Sequence, residues 1–244
     1  MKSRTDKHAW KIALGLLDKY ELPDSYRGQR VARAREMIEE LLSKGSMGEV
    51  SEARFSEIRD ALDFHEHRIA RDAYFTNVHS CVLTSEWLDS LGRAFQSNTI
   101  LEIGAGRGCM VMPMHKRGVT WIGVQRDPDK DCFVRPVPVK DYLSALRSYR
   151  HKIDYVFMSW PTIKLSDQEI IKVMDASVAY DIPVLLVSER RMSTSCPNEV
   201  WDNQYTRGYR VIKSGLQPAQ WRGLRDALWL VVNEKRLSED GYDL

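Results

Sequence analysis

Three glycines at alternate positions mark the segment of this chain that is most suited to chemistry. They occur in LEIGAGRG, residues 101–108. A glycine loop between a strand and a helix lets backbone approach a ligand closely and aims free N–H groups at its polar parts. A dinucleotide loop needs Gly-x-Gly-x-x-Gly, but here the third glycine comes one position early and Cys109 takes its place. The alternative is a tight strand-to-helix turn that holds no ligand.

The pattern Glu-x-Gly-x-Gly-x-Gly resembles the first motif of class I S-adenosylmethionine-dependent methyltransferases. In that superfamily the acidic residue helps to hold the methionine end of the cofactor, and the loop accommodates its sulfonium-bearing portion. The resemblance implies S-adenosylmethionine as the cofactor. It also implies that the pocket is lined by Glu102, Gly104, Ala105, Gly106 and Gly108.

The second and third motifs of that superfamily are less closely matched. Members usually have an acidic residue at the end of the second strand, where it accepts both ribose hydroxyls. Here that position is Gln125, and Asp127 follows two residues later. A glutamine lacks the charge-assisted strength of a carboxylate, so either residue is a candidate for holding the ribose. Asp141 resembles the third-motif acid that contacts the adenine amino group, and the alternative is that it caps the next helix.

The segment SWPT, residues 159–162, ends a predicted strand at the edge where α/β proteins bind ligands. It takes the place of the Asn/Asp-Pro-Pro-aromatic motif of amino-methylating enzymes, with Trp160 where those enzymes have a polar residue. We predict that Ser159 contributes to the cofactor site. We also predict that the Trp160 indole stacks on a flat acceptor, with plain core packing as the alternative.

Glu189 follows the next predicted strand and is the second candidate catalytic residue, as an acid or base that faces the cleft. The alternative is an ion pair with one of the arginines at positions 190, 191 and 222.

A second resemblance extends over roughly residues 98–235. The Ser-Trp-Pro segment, Ser188-Glu189, Cys196 and PAQWRGLRD at residues 218–226 occur in the same order as in a largely uncharacterised, partly phage-encoded family of methyltransferase-like proteins. That family typically carries Trp-Pro-Pro-Tyr, then Gly-Glu, then Trp-x-Gly-x-x-Asp. This resemblance supports the fold and implies no particular reaction.

The elements that position these residues follow from the apolar pattern. Nearly continuous apolar runs alternate with helix-like segments after about residue 78, which indicates a mostly parallel sheet covered on both faces. Apolar residues at three- and four-residue spacing predict helices at 31–42 and at about 51–74. We therefore predict a helical N-terminal extension, residues 1–77, and a doubly wound, Rossmann-like α/β methyltransferase domain, residues 78–244. The predicted strands are residues 99–103, 120–124, 153–158, 183–187 and 228–232.

The composition excludes several classes of protein. The 36 Lys and Arg residues against 34 Asp and Glu give a charge of +2, too balanced to demand a polyanionic partner. No apolar run approaches the ~18 residues of a membrane span, and the N-terminus lacks a secretory signal pattern. We therefore expect no membrane partner and a cytoplasmic location, in the host cell if the protein is phage-encoded. The dispersed cysteines and histidines predict neither a disulfide framework nor a metal site.

The leading hypothesis is a methyltransferase that aligns an acceptor near Trp160 and Glu189 for in-line attack on the methyl group. The acceptor is unknown, and nucleic acid is one candidate. The alternative is a methyltransferase-like binding module that has lost turnover and acts through nucleic-acid or protein partners. Gln125 and the altered fourth motif favour the alternative, whereas the intact glycine loop argues against it. The sequence does not indicate an oligomeric state.

Overall fold

The computed structural model describes residues 50–62, 67, 70–71, 74–75, 79–128, 132–163, 165–190, 196–202, 204, 206–221 and 223–235. The predicted helix at 31–42 lies outside these residues, as does most of the proposed N-terminal extension.

A seven-stranded sheet forms the centre of this part of the chain, in the order β3-β2-β1-β4-β5-β7-β6. Adjacent strands from β3 to β5 are parallel, whereas β7 is antiparallel to both of its neighbours. The predicted doubly wound, mostly parallel α/β fold is therefore confirmed. The strands are β1 Thr99–Ile103, β2 Thr120–Gln125, β3 Val137–Pro138, β4 Tyr155–Ser159, β5 Val184–Ser188, β6 Tyr209–Lys213 and β7 Ala227–Asn233.

Helices cover both faces of the sheet because each presents an apolar stripe to it. One core cluster joins the buried residues of α1, α2 and α3 to one face of the sheet. A second cluster joins those of α4, α5 and α6 to the opposite face. The helices are α1 Glu52–Ala61, α2 Ser85–Ala94, α3 Val111–Lys116, α4 Tyr142–Tyr149, α5 Asp167–Ala179 and α6 Asn198–Asp202, and a short 3-10 turn spans Pro161–Ile163.

The described part of the proposed N-terminal extension packs directly on this core. Phe55 and Ile58 of α1 are buried, and the Phe55 ring meets Trp221 edge to face with centroids 4.9 Å apart. Tyr74 contacts the same indole at 5.9 Å. Residues before and after the proposed boundary therefore share one core, and the division at residue 77 stays a prediction.

The candidate site lies at one edge of the sheet. The parallel strands β1, β2, β4 and β5 all end there, so the residues that follow them are neighbours in space. Because β7 runs in the opposite direction, its first residue lies at this same edge, where Ala227 pairs with Ser188. The site is thus built from loops after four strands and from the loop that precedes β7.

Candidate active site at the carboxyl edge of the sheet

The glycine loop follows β1 directly. Gly104, Gly106 and Gly108 have φ angles of 74°, 55° and 72°. This left-handed backbone is costly for residues that carry a Cβ. The alternation of glycine in the sequence is therefore explained by the backbone path itself.

The loop packs closely against neighbouring residues at Gly108 and Gly123, whereas Gly106 lies beside open space. A Cβ on Gly108 would come within 2.0 Å of the Val134 carbonyl oxygen, and a Cβ on Gly123 of β2 would come within 2.9 Å of the Ala105 Cβ. In contrast, a Cβ on Gly106 would meet no atom within 4 Å. Among the described residues, nothing fills the space beside Gly106, so the loop presents bare backbone there.

The amide groups of the loop correct one expectation. Four of them donate inside the protein instead of pointing freely at a ligand. Gly104 and Ala105 both donate to the Val124 carbonyl, at 3.0 and 3.1 Å, and Gly108 donates to the Ala105 carbonyl at 2.8 Å. Gly106 donates to Gln125 Oε1 at 3.2 Å. A phosphate cradle requires free N–H groups, so this loop suits a ligand that needs close approach and no phosphate recognition.

Glu102 lies behind the loop with both carboxylate oxygens engaged. It is 2% exposed. Trp121 Nε1 donates to Oε2 at 2.8 Å, and His79 Nε2 lies 3.2 Å from Oε1. Burial alone lowers the pKa of His79, but Cys81 and Glu102 outweigh it and raise this pKa to about 10. Glu102 is therefore fixed behind the loop, and its contact with a cofactor stays a prediction.

The two ribose candidates differ sharply in environment. Gln125 ends β2, is buried, and accepts the Gly106 N–H through Oε1. Asp127 is exposed two residues later. Between them, Arg126 turns away to Glu169 of α5, with 2.8 Å between Nη2 and Oε1. Gln125 is therefore part of the loop's support, whichever of the two residues holds a ribose.

Asp141 caps helix α4, as the alternative interpretation holds. Its Oδ1 accepts the Ser144 N–H at 2.7 Å, and this hydrogen bond lowers the pKa of Asp141. The proposed adenine contact is not excluded by a cap that occupies one oxygen, and it stays a prediction.

The fourth motif is strongly constrained. Trp160 has a φ of 44° and is buried, and its backbone N–H donates to the Val187 carbonyl at 3.0 Å. Its indole Nε1 donates to Asp226 Oδ1 at 2.7 Å, and its ring meets Phe75 edge to face at 5.3 Å. The indole is thus fixed by packing and by a hydrogen bond to Asp226, as the core-packing alternative holds, and stacking on an acceptor stays a prediction.

Ser159 is the last residue of β4, where its hydroxyl lies in a polar pair. Ser80 Oγ donates to Ser159 Oγ at 2.7 Å and also approaches the Ser159 carbonyl at 3.2 Å. Both serines are partly buried. The sequence indicated Ser159 but gave no signal for Ser80, which comes from a loop far away in the chain.

Glu189 follows β5 and is partly buried. Its Oε1 accepts the backbone N–H of Arg225 at 2.6 Å, which ties the end of β5 to the loop before β7. Arg190 instead places its guanidinium 5.8 Å from the centre of the Trp229 ring. The other two arginines of the alternative, at positions 191 and 222, lie outside the described residues.

Sequence reasoning missed Asp226 as a site residue. It lies immediately before β7, is 4% exposed, and faces both Trp160 and the charge of Glu189. Burial raises its pKa to about 7, an effect that Glu189 reinforces and that Trp160 and Arg71 oppose. The signal was present as the final Asp of Trp-x-Gly-x-x-Asp, but its meaning depends on the antiparallel direction of β7.

The thiols of this region are structural. Cys81, Cys109 and Cys196 are buried, Cys132 is partly buried, and none of these four forms a disulfide. Burial raises the pKa of Cys109 and of Cys196, so these thiols are not activated nucleophiles. Within the described residues, no group of three or more His, Cys, Asp or Glu side chains is arranged to hold a metal ion, and no helix is long and apolar enough to cross a membrane.

Fold and site together define a doubly wound, Rossmann-like α/β protein with a glycine loop at the carboxyl edge of its sheet. No protein-family model matches the chain, and no curated protein matches it.

Solved structures of similar fold include three methyltransferases. Magnesium protoporphyrin IX methyltransferase from Synechocystis PCC 6803, with bound S-adenosylmethionine, is 14% identical (TM-score 0.43; 86% of this chain, 94% of that chain). A TehB-like methyltransferase from Corynebacterium glutamicum is 15% identical (TM-score 0.43; 60% and 87%). A possible RNA methyltransferase from Pyrococcus horikoshii is 17% identical (TM-score 0.32; 60% and 79%). At these identities the likeness concerns the fold.

Proposed function

We propose that this protein is an S-adenosylmethionine-dependent methyltransferase. The observation that carries the proposal is Gly106, whose backbone has a φ of 55° and faces open space. The positive φ accounts for glycine at this position, and among the described residues nothing fills the space beside it. A ligand can therefore approach the loop backbone closely there.

Topology and loop chemistry separate this proposal from a dinucleotide-binding one. A dinucleotide fold has strand order 3-2-1-4-5-6 with the pyrophosphate on free loop amides at a helix N-terminus. Here an antiparallel β7 lies between β5 and β6, and the amides of Gly104, Ala105, Gly106 and Gly108 donate within the protein. The methionine portion of S-adenosylmethionine carries no phosphate, so it fits this loop better.

The cofactor supplies a methyl group already activated by its sulfonium, so the chain has only to bind, align and accept a proton. We assign the binding of the cofactor to the loop around Gly106, with Gln125 or Asp127 at the ribose, and Asp141 and Ser159 as further contacts. The Trp160 indole provides a flat wall for the acceptor, and Glu189 lies beside it. A nucleophilic serine or cysteine is not required.

We propose only the class of the methyl acceptor, a molecule with a planar or apolar part. A nucleic acid base is one candidate. The intact glycine loop, with open space beside Gly106, supports a cofactor-binding protein over the alternative of a degenerate binding module. A cytoplasmic location and membership of the partly phage-encoded family stay predictions.

Native mass spectrometry of the purified protein tests the cofactor. We expect retained S-adenosylmethionine or S-adenosylhomocysteine, or uptake of either on addition. A chain that stays empty after addition of excess cofactor would refute the proposal.

The acceptor wall is tested with radiolabelled cofactor against RNA, DNA, protein and small-molecule pools. Trp160→Ala should lose acceptor methylation while its cofactor affinity stays within about tenfold of wild type, since stacking is worth roughly 1–3 kcal/mol per base. Trp160→Phe retains a ring and should retain part of the activity. Equal methylation by wild type and Trp160→Ala would remove Trp160 from the site.

A further inference from the structure

Asp226 is a buried carboxyl group at the edge of the sheet that carries the proposed site. It precedes Ala227, which pairs with Ser188, so it lies across from Glu189 at the end of β5. Its Oδ1 accepts the Trp160 indole N–H at 2.7 Å, and its backbone carbonyl accepts the side-chain amide of Gln220. The residue is therefore held once through its carboxyl group and once through its backbone.

The second oxygen of Asp226, Oδ2, differs from Oδ1 in its hydrogen bonding. Among the described residues, none donates a hydrogen bond to Oδ2, since the indole donates to Oδ1. Within the described part of the chain, four side-chain atoms are both fully enclosed and without a hydrogen-bond partner, and Oδ2 is not one of them. Oδ2 is therefore not fully enclosed by the protein. Those enclosed atoms are Asp175 Oδ1, Trp201 Nε1, Gln217 Oε1 and Trp221 Nε1.

The surroundings of Asp226 suit a proton acceptor at neutral pH. Burial and the neighbouring charge of Glu189 raise its pKa, while the Trp160 hydrogen bond and the Arg71 guanidinium lower it, with a balance at about 7. A general base is most effective when its pKa lies near the operating pH. Among the described residues, Glu189 from the end of β5 and Arg71 are the charged groups that face it.

We propose that Asp226 supplies the polar group that the fourth motif lacks, and that it receives the hydrogen of an N–H methyl acceptor held against Trp160. This rests on the proposed methyltransferase function. The acceptor nitrogen attacks the methyl carbon with its lone pair, and the carbon–sulfur bond breaks with its electron pair going to sulfur. The nitrogen then carries an excess proton, which passes to the Asp226 carboxylate and from there to water.

The coupling of Asp226 to Trp160 is tested without a cofactor. The chain has seven tryptophans, and Trp160→Phe identifies the indole N–H signal of Trp160 in a nitrogen-15 NMR spectrum. We expect this signal to titrate with a midpoint near 7 and to become flat in Asp226→Asn. Asp89→Asn, an exposed carboxylate on α2, is the matched control and should leave the titration unchanged. A wild-type signal that stays flat from about pH 5 to about pH 9, roughly two units on either side of the midpoint, would overturn the proposal even if Asp226→Asn fails to fold.

The contact with an acceptor amine is tested with sinefungin, an analogue that carries a primary amine in place of the transferable methyl group. Calorimetry compares its Kd with that of S-adenosylhomocysteine. We expect Asp226→Asn to lose at least about fivefold of the preference for sinefungin, the effect of a charge pair at ~4 Å in water, while Asp89→Asn retains it. An unchanged preference in Asp226→Asn overturns the proposal and leaves the cofactor assignment intact, whereas a wild-type protein that binds neither compound overturns both.

Discussion

Replacing Gly106 with alanine adds a single methyl group, which tests the ligand role of the glycine loop separately from its role in folding. Gly106→Ala places a Cβ where the structure has no atom within 4 Å, on a backbone with a φ of 55°. The left-handed backbone costs about 1–2 kcal/mol for a residue with a Cβ, partly offset by about 0.4–1 kcal/mol from the less flexible unfolded chain. The melting temperature should therefore fall by no more than about 6 °C, given ~2–4 °C per kcal/mol for a domain of this size.

Gly208→Ala is the matched control for this change. Gly208 precedes β6, has a φ of 72°, and likewise would place its Cβ in open space. Both variants should lose similar stability in differential scanning calorimetry. Only Gly106→Ala should also lose affinity for S-adenosylhomocysteine in isothermal titration, by at least tenfold or about 1.4 kcal/mol. If Gly106→Ala binds as tightly as Gly208→Ala does, the space at Gly106 is not a ligand site.

Three further predictions concern the residues around the loop. If Gln125 holds the ribose, Gln125→Glu should tighten cofactor binding in calorimetry while Asp127→Ala changes it little. If Asp127 holds the ribose instead, Asp127→Ala should cost about 1.5–3 kcal/mol of binding free energy. No effect from either variant would place the ribose elsewhere. His79 has a folded pKa of about 10, above its ordinary value of 6.5, so its ion pair stabilises fully below about pH 6.5 and is lost as pH rises through 10. The difference in melting temperature between wild type and His79→Gln should shrink from pH 6 to pH 10, and a difference that grows would contradict the pair. Asp141→Ala should cost about 0.5–2 kcal/mol of stability because the helix cap is lost. Asp141→Asn keeps the cap, so weaker cofactor binding in that variant would indicate a separate contact with adenine.

The strands that carry the site could be predicted because they are buried on both faces. The predicted strand at 99–103 coincides with β1, and the other four predictions each overlap an observed strand to within about two residues at either end. Strands β3 and β6 were missed. The first is two residues long and ends in Pro138, and the second is a sheet edge in which Arg210 and Lys213 interrupt the apolar run. These strands lack the continuous apolar signal because β3 is exposed and β6 is only partly buried.

The site was predictable where the local backbone demands a residue type, and not where distant segments meet. The glycines at 104, 106 and 108 are required by backbone with a positive φ, so their spacing could be recognised in the sequence. The contacts of Glu102 with His79 and of Trp160 with Asp226 join residues 23 and 66 positions apart. Neither spacing matches a helix or strand period, so only the folded chain brings these pairs together.

The conformation of Trp160 explains why Asp226 is fixed to this motif. A bulky residue with a φ of 44° persists only when its surroundings over-determine it, and such strain concentrates at ligand-binding and catalytic positions. Three contacts perform this role at Trp160: the Val187 carbonyl on its backbone, the Phe75 ring on its side chain and the Asp226 carboxylate on its indole. Core packing alone would be satisfied by an apolar partner, because burying a carboxylate is costly unless it is hydrogen-bonded. The chain instead brings a charged group from the start of β7 to the end of β4, where the proposed acceptor needs one.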